Sequence, residues 1–257
     1  MRLEGISVKI SQKNFLIKIK KALKPLEKTI FHPQWLSYRN EEILINWIKA
    51  LGDLDNVLDI GCANRWPEKY LSNKTSYIGL DYFDTAMHMY NSDVDIYANA
   101  EHLPFMDQTI DAILMFDVLE HIGNGEKAIQ EACRVLKPEG RMIVQIPFIY
   151  PVHDAPYDFR RPTKYGLKML MERNNFTIES FGSRGKPLET ACLLTNIALA
   201  KSLVNGMSKR VLPAVLFIPF VGLISVFLNC AGWCVSKTFS NDDLMPFSYH
   251  LMLKKKI

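Results

Sequence analysis

Two short apolar segments, each containing or ending in an acidic residue, constrain the fold of this chain most strongly. Val57–Cys62 reads Val-Leu-Asp-Ile-Gly-Cys, the pattern of a buried strand that ends in a tight turn, and Tyr77–Asp81 is a second apolar segment that ends in an acid. In a doubly wound α/β sheet, ligands bind at the carboxyl ends of the strands, and a glycine in the first turn lets the backbone approach the ligand closely. The acid that ends the second strand can accept both hydroxyls of a ribose. The two segments therefore predict a nucleoside-binding half-sheet.

The turn after the first segment indicates which nucleoside binds there. A dinucleotide site needs Gly-x-Gly-x-x-Gly facing a pyrophosphate, whereas the turn 61–67 of this chain keeps a single glycine, Gly61. The acid before the turn would repel a pyrophosphate but suits a cationic ligand. S-adenosylmethionine is such a ligand, because it carries a ribose, a sulfonium and an ammonium group. The turn thus favours S-adenosylmethionine as cofactor and argues against a dehydrogenase.

Further motifs follow in order, and together with these two they resemble the class I S-adenosylmethionine-dependent methyltransferases of the broad "type 11" family. The resemblance runs from about Trp35 to Ser183, and five motifs in sequence are far more specific than one. The motifs are Val57–Cys62, Tyr77–Asp81, the adenine-side loop Asn99–Phe105, the fourth strand Ile110–Met115 with its Leu119-Glu120-His121 loop, and Arg134–Gly140.

Two positions depart from the family pattern, and one further stretch points to a subgroup. The usual Gly-x-Gly of the first turn is Gly61-Cys62-Ala63, and the usual aspartate of the adenine loop is Asn99, which keeps a side-chain acceptor. Pro147–Leu167 is similar to a stretch found in proteins that resemble enzymes of cell-surface glycan and lipid pathways. This association is looser than the resemblance in fold.

The resemblance implies a set of cofactor-binding residues around the first two turns and the adenine loop. Gly61 would bring the backbone to the methionine moiety, Asp59 would order the turn, and Asp81 would bind the ribose. The alternatives are that Gly61 is a plain turn glycine, that Asp81 caps a helix, and that Asn99 is only a turn residue. The full predicted set is Asp59, Gly61, Cys62, Ala63, Asp81, Tyr82, Asn99, Ala100, Glu101 and Phe116.

Two histidines are the predicted catalytic residues. His121 follows the fourth strand and His153 the fifth, so both loops open at the ligand edge of the sheet, and a histidine near neutral pKa suits a general base. Asp158, Arg160 and Arg161 are predicted to bind the acceptor. The alternatives are that His121 packs a loop and that Asp158 pairs with Arg161 structurally.

The pattern of strands and helices predicts a Rossmann-like seven-stranded α/β sheet, mostly parallel. By the family resemblance, the last strand is antiparallel and lies between the fifth and sixth. The predicted strands are Asn56–Ile60, Ser76–Leu80, Val94–Ala98, Ile110–Met115, Arg141–Ile146, Thr177–Phe181 and Ser248–Leu253, and the predicted helices are Asn14–Leu26, Glu41–Leu51, Glu126–Leu136 (stopped by Pro138-Glu139-Gly140) and Thr163–Arg173.

A hydrophobic helical insertion separates the last two strands. Val211–Ser236 contains no charged residue and is long enough to cross a membrane, but a single crossing would put the last strand on the wrong side. Because Pro219 and Gly222 interrupt the segment, we expect a broken helix or shallow hairpin that dips into one leaflet.

The predicted domains are a basic amphipathic segment 1–34, a methyltransferase core 35–184, a membrane-associating insertion 185–244, and the last core strand 245–257.

Charge and cysteine content limit the partners and the compartment. The net charge is +4, which implies no general affinity for nucleic acid, and Met1–Lys28 carries eight basic and two acidic residues. This basic segment and the apolar insertion together favour attachment to the anionic cytoplasmic face of a membrane. The five cysteines are scattered, as in a reduced compartment, and Cys230-x-x-x-Cys234 has no other ligands nearby, so we expect no metal. No signal peptide is recognised at the N-terminus.

These observations favour a membrane-associated methyltransferase whose acceptor is a lipid-linked or hydrophobic metabolite, methylated on a hydroxyl. One alternative is a soluble sugar or small-metabolite methyltransferase with the apolar insertion as a lid or dimer interface. The other is a cofactor-binding scaffold without catalysis. The sequence leaves the oligomeric state open.

Overall fold

A seven-stranded mixed sheet forms the centre of the fold, in the order β3-β2-β1-β4-β5-β7-β6. The computed structural model describes residues 24–39, 41–87, 93–208, 216–238 and 243–257. The strands are β1 (Asn56–Ile60), β2 (Ser76–Asp81), β3 (Ile96–Tyr97), β4 (Ile110–Phe116), β5 (Leu136–Pro147), β6 (Phe176–Arg184) and β7 (Ser248–Lys255). Strands β1 to β5 are parallel, and β7 runs antiparallel between β5 and β6. The predicted fold class and the placement of the last strand are confirmed.

Helices cover the sheet and connect its strands. Within the described residues they are α1 (Trp35–Tyr38), α2 (Glu42–Lys49), α3 (Phe83–Thr85), α4 (Gly125–Val135), α5 (Lys164–Arg173), α6 (Pro187–Ser208) and α7 (Ile218–Thr238), with 3₁₀ turns at Lys24–Leu26, Glu68–Tyr70 and Leu119–His121. Helix α5 begins where predicted, because the Thr163 hydroxyl accepts a hydrogen bond from the Gly166 amide. Asn124 caps α4 in the same way.

The central strands are buried on both faces, which explains their continuous apolar sequences. In β1, Val57, Leu58 and Ile60 are almost inaccessible to solvent, and β4 pairs beside it with Val57 opposite Ala112. The order of the strands reverses between β1 and β4, since β2 lies on one side of β1 and β4 on the other. Such a reversal opens a crevice at the carboxyl ends of the two strands.

Two predicted helices, Glu126–Leu136 and Asn14–Leu26, differ from the structure at their described ends. The predicted stop at Pro138-Glu139-Gly140 lies inside β5, because α4 ends at Val135 and the chain enters the strand at once, pairing Leu136 with Ile110. The predicted helix Asn14–Leu26 falls mostly outside the described residues, and its last three residues form a 3₁₀ turn.

The chain divides into two units, of which one contains the sheet and spans 41–184 and 247–257. The other spans 1–40 and 185–246, and in its described part α6 and α7 pack as an antiparallel pair. The predicted break at Pro219–Gly222 is wrong, because α7 runs unbroken through both residues. Pro219 is the second residue of α7. A backbone amide in the first turn of a helix has no intrahelical acceptor, so proline, which lacks the amide hydrogen, is tolerated there.

Candidate active site

A cavity of about 430 Å³ opens at the carboxyl ends of β1, β2, β3 and β4, beside the point where the strand order reverses. The loops that follow these strands supply its walls. Of the residues predicted to bind the cofactor or to act in catalysis, the cavity is lined by Gly61, Ala63, Asp81, Tyr82, Asn99, Ala100, Glu101, Phe116 and His121. Thus nine predicted residues from five segments meet at one place.

The turn after β1 holds its backbone against the cavity wall. Gly61 has φ of 73°, and a Cβ built on it would overlap the Val118 side chain, so the close approach of the two loops requires glycine here. Ala63 also lies in the left-handed region, with φ of 40°, although it carries a side chain. Its amide donates a hydrogen bond of 3.1 Å to Asp81 Oδ2, which ties the first turn to the end of β2.

Asp81 is buried at the end of β2 and already accepts several hydrogen bonds. Its Oδ1 accepts from the Tyr82 amide at 2.8 Å and from the Thr85 hydroxyl at 3.2 Å, and its Oδ2 accepts from Ala63. The carboxylate therefore orders the local turn as well as facing the cavity. Its role in binding a ribose stays a prediction.

Asp59 and Cys62 lie beneath the turn and are not among the cavity-lining residues. Asp59 Oδ2 accepts a hydrogen bond of 2.5 Å from the Tyr77 hydroxyl, and burial raises the pKa of Asp59 to about 7. Burial likewise raises the pKa of the Cys62 thiol to about 12 and keeps it neutral. Both side chains support the turn, and their predicted part in binding the cofactor stays a prediction.

The adenine-side loop is stabilised by its own side chains. Asn99 Oδ1 accepts from the Glu101 amide at 2.9 Å, the arrangement of an Asx turn, which matches the structural alternative for Asn99 without excluding its second lone pair from a ligand. Glu101 Oε1 in turn accepts from the Asn124 amide at 2.8 Å. On the opposite wall, Phe116 packs against Trp66 with ring centroids 5.2 Å apart.

The two predicted catalytic histidines lie side by side. The ring centroids of His121 and His153 are 4.9 Å apart, and the Nε2 atoms lie 3.6 Å and 3.8 Å from Oε1 of Glu120. Glu120 is fully buried, and burial together with the charge of Asp117 raises its pKa well above the usual range. The Leu119-Glu120-His121 motif therefore contributes two charged or titratable groups here, of which the sequence had indicated only the histidine.

The predicted acceptor-binding residues hold the loop after β5 instead of lining the cavity. Asp158 forms a bidentate ion pair with Arg161, at 2.5 and 2.6 Å, and accepts a hydrogen bond from the His153 amide. Arg160 donates to the Gly123 carbonyl. The structural alternative for Asp158 and Arg161 thus matches the geometry, while neighbours in the same loop line the cavity, namely Asp154, Tyr157 and Phe159.

One cavity residue that sequence reasoning missed is Asp117. It lines the cavity directly after β4, has φ of 53°, and its Oδ2 accepts a hydrogen bond of 2.6 Å from Gln145 Nε2. The sequence contained a signal for this residue, because Asp117 directly follows the apolar strand β4, much as Asp81 ends the apolar strand β2.

Comparisons with known proteins agree with this site. Residues 58–144 match the family model described as a methyltransferase domain. An uncharacterized protein of Methanocaldococcus jannaschii is 34% identical over 132 residues, which cover 51% of this chain and 52% of that protein. A ubiquinone/menaquinone biosynthesis C-methyltransferase of Bartonella henselae is 29% identical over 112 residues, covering 40% of this chain and 43% of that enzyme. The chain thus spans about half or less of the length of these curated relatives.

Solved structures share the fold. The crystal structure of an S-adenosylmethionine-dependent methyltransferase from Mesorhizobium loti superposes with a TM-score of 0.51 at 12% identity, covering 86% of this chain and all of that one. At this identity the likeness concerns the fold alone. Residues 58–144 therefore match a methyltransferase domain and lie on a Rossmann-like sheet, and S-adenosylmethionine is the cofactor expected for such a domain.

Proposed function

We propose that this protein transfers a methyl group from S-adenosylmethionine to an oxygen atom of a hydrophobic or lipid-linked acceptor at the cytoplasmic face of a membrane. The observation that carries the proposal is the cavity in which Gly61, Asp81 and the Asn99 loop converge, at the carboxyl edge of a methyltransferase domain. The size of this cavity, about 430 Å³, falls within the range of small-molecule sites.

The residues around the cavity divide between the two substrates. Methyl transfer is an in-line displacement at a carbon already activated by the sulfonium, so alignment supplies most of the catalysis. Gly61 and Asp81 would hold the cofactor. His121 and the neighbouring His153 lie where a base could take the proton of the acceptor hydroxyl.

Helix α7 supports action at a membrane. It is 21 residues long and the one helix, among the described residues, with the length and composition to cross a bilayer. Helices of soluble proteins usually bury their apolar residues, and α7 does the opposite. Its buried residues are Ser225, Asn229, Gly232 and Ser236, whereas large apolar residues face outward. The outward-facing large side chains just before α7 and in its amino-terminal half include Leu216, Phe217, Phe220, Leu223 and Phe227, each more than half exposed.

The distribution of these residues along α7 favours shallow insertion. Leu216 to Phe227 spans roughly 17 Å at 1.5 Å per residue, close to the half-thickness of a bilayer core of about 30 Å. At the other end, the Lys237 ammonium lies over Trp233, and the Arg39 guanidinium lies near both Trp35 and Trp233. Tryptophan and basic residues are typical of the headgroup region. We infer that the amino-terminal half of α7 enters one leaflet.

Titration calorimetry with S-adenosylhomocysteine tests the cofactor assignment. The Asp81→Ala variant should bind more than about tenfold more weakly, because each hydrogen bond to a charged acceptor contributes about 1.5–3 kcal/mol. Asp84→Ala, which removes an exposed carboxylate three residues away, should bind like the wild type. Equal affinity of Asp81→Ala and wild type, or tighter binding of a nicotinamide dinucleotide by the wild type, would contradict the assignment.

Flotation with lipid vesicles tests the membrane assignment. The wild type should float with vesicles containing anionic lipid, and Leu223→Asp should float at least tenfold less, because burying one leucine contributes about 1.5–3 kcal/mol. Met106→Asp is the matched control, since Met106 is an exposed apolar residue of the sheet-containing unit. If both variants float like the wild type, α7 is not the anchor, and a concentration-dependent dimer in solution would favour the soluble alternative.

A further inference from the structure

Three side chains from two loops direct potential metal-ligand atoms at one another beside the cavity. Glu120 Oε1 lies 3.6 Å from His121 Nε2 and 3.8 Å from His153 Nε2, and the ligand atoms of the three residues all lie within 4.8 Å of one another. His121 also lines the cavity. The cluster is therefore next to the space in which substrates would bind.

Glu120 lacks the contacts that a buried carboxylate needs. Its side chain is inaccessible to solvent, and within the described part of the chain neither carboxylate oxygen has a hydrogen-bond partner. A buried charge is normally paired or bound to a metal, since leaving it alone is costly. The backbone around it is satisfied, for its carbonyl accepts from the Phe159 amide at 2.9 Å. The nearest histidine nitrogens, at 3.6 and 3.8 Å, lie beyond hydrogen-bond distance, so the carboxyl oxygens are left for a further ligand to satisfy.

Contacts at Nδ1 hold both imidazole rings so that their Nε2 atoms lie towards Glu120. His121 Nδ1 lies 2.8 Å from the Tyr157 carbonyl, which can only accept, so Nδ1 carries the proton and Nε2 keeps its lone pair. His153 Nδ1 lies 3.3 Å from the Pro151 carbonyl and 3.4 Å from Asp158 Oδ2, which accept, and 3.2 Å from Arg161 Nη2, which donates. These contacts orient the ring and are compatible with either tautomer of His153. A hydrogen bond from the far ring nitrogen to a carbonyl or carboxylate is the usual support of a metal-bound histidine.

We propose that Glu120, His121 and His153 bind a divalent transition-metal ion. Two ligands at about 2.1 Å from a tetrahedral ion lie about 3.4 Å apart, close to the glutamate–histidine separations here. Two imidazoles and one carboxylate suit Zn²⁺, Fe²⁺, Co²⁺ or Mn²⁺ and leave open positions. The cysteine spacing, on which the expectation of no metal depends, does not concern these residues.

A catalytic role for the ion rests on the proposed function, whereas its binding does not. With the ion bound, the two histidines would hold the metal instead of serving as the base. A metal-bound hydroxyl loses its proton more readily, so the acceptor would release its proton to water and bind as an alkoxide. The oxygen lone pair would then form the new C–O bond while the S–C bond breaks and leaves its electron pair on sulfur. The products are S-adenosylhomocysteine, the methyl ether and one proton.

Metal titration of the whole chain 1–257, after removal of metals by a chelator, tests the site without cofactor or acceptor. We expect the wild type to bind one equivalent of Co²⁺ or Zn²⁺. The Glu120→Gln, His121→Ala and His153→Ala variants should each lose more than about 100-fold in affinity, because even an outer-shell partner is worth about 10–100-fold. His102→Ala is the matched control, as His102 is exposed and outside the cluster. Circular dichroism checks that each variant folds.

A second measurement uses only the wild type and so does not depend on the folding of variants. Zn²⁺ should protect His121 and His153 from acylation by diethyl pyrocarbonate, read by mass spectrometry, while His102 remains reactive. Failure of the wild type to bind, equal binding by the three variants, or absence of protection would each overturn the proposal. Metal binding without methyl transfer would instead count against the proposed function, which separates the two.

Discussion

The buried carboxylate of Asp59 makes stability depend on pH in an unusual direction. Desolvation raises its pKa from 3.8 to about 7, chiefly because the side chain has almost no solvent contact, and Asp81 adds to the rise while the Tyr77 hydroxyl opposes it. The folded state therefore holds a proton that the unfolded chain releases. A raised folded-state pKa contributes stability that is complete below the unfolded pKa and is lost as pH rises through the folded one.

The magnitude follows from the size of the shift. Each pKa unit corresponds to about 1.4 kcal/mol, so the contribution falls by up to about 4 kcal/mol between pH 4 and pH 7. Asp59→Asn replaces the protonated acid by a neutral group of the same shape. We compare the free energies of unfolding of the wild type and Asp59→Asn. Between pH 4 and pH 7 the wild type should become less stable relative to the variant by up to about 4 kcal/mol.

Urea unfolding at a series of pH values, together with amide hydrogen exchange of β1, provides the assay. Hydrogen exchange is needed because the chain has two units, and β1 reports on the one that contains Asp59. Tyr77→Phe is an informative control, since loss of the hydroxyl that stabilises the ionised form should move the transition to higher pH. A difference that stays constant from pH 4 to pH 8, or that grows in favour of the wild type, would refute the reasoning.

Two further predictions concern local geometry in each unit. Ala63→Gly should raise the free energy of unfolding by about 0.5–1 kcal/mol in urea titrations, because relief of the left-handed backbone at φ of 40° exceeds the entropic cost of glycine; a loss of stability would contradict this. Asn229→Ala should lower the stability of the α6–α7 pair by about 3 kcal/mol in thermal melts. It removes a hydrogen bond with Asn196 and leaves the Ile30 and His32 carbonyls without their amide donor. Asn205→Ala, at an exposed position, should leave the melt unchanged.

The sequence predicts the sheet and the positions of Gly61 and Asp81 at the cavity, because both depend on local patterns. A buried parallel strand is a continuous apolar run, and the residue that ends it must lie at the ligand edge, so Asp81 and Gly61 are placed by their position alone. The predicted strand Asn56–Ile60 coincides with β1 for the same reason. For these residues, the position along the chain is enough to predict the position in the site.

The surroundings of the predicted acceptor-binding residues could not be predicted in the same way, because they depend on how the loop after β5 folds. Whether Asp158 faces the cavity or pairs with Arg161 is decided by the fold of the loop after β5, which no periodicity describes. The contact of Glu120 with His153 likewise joins loops from β4 and β5. The break expected at Pro219 failed for a different reason, since the effect of proline depends on whether it lies in the first turn of a helix or in its interior.

Three non-glycine residues with strained backbone lie at the cavity. Ala63, Asp117 and Asp154 all have positive φ and all line the cavity, although none is glycine. Each such residue costs about 1–3 kcal/mol and persists only where its surroundings over-determine the conformation. The hydrogen bonds from the Ala63 amide to Asp81 and from the Gln145 side chain to Asp117 stabilise two of these conformations. The cavity edge is therefore held in shape before any ligand binds, which is what an enzyme requires when it works mainly by aligning a methyl group with its acceptor.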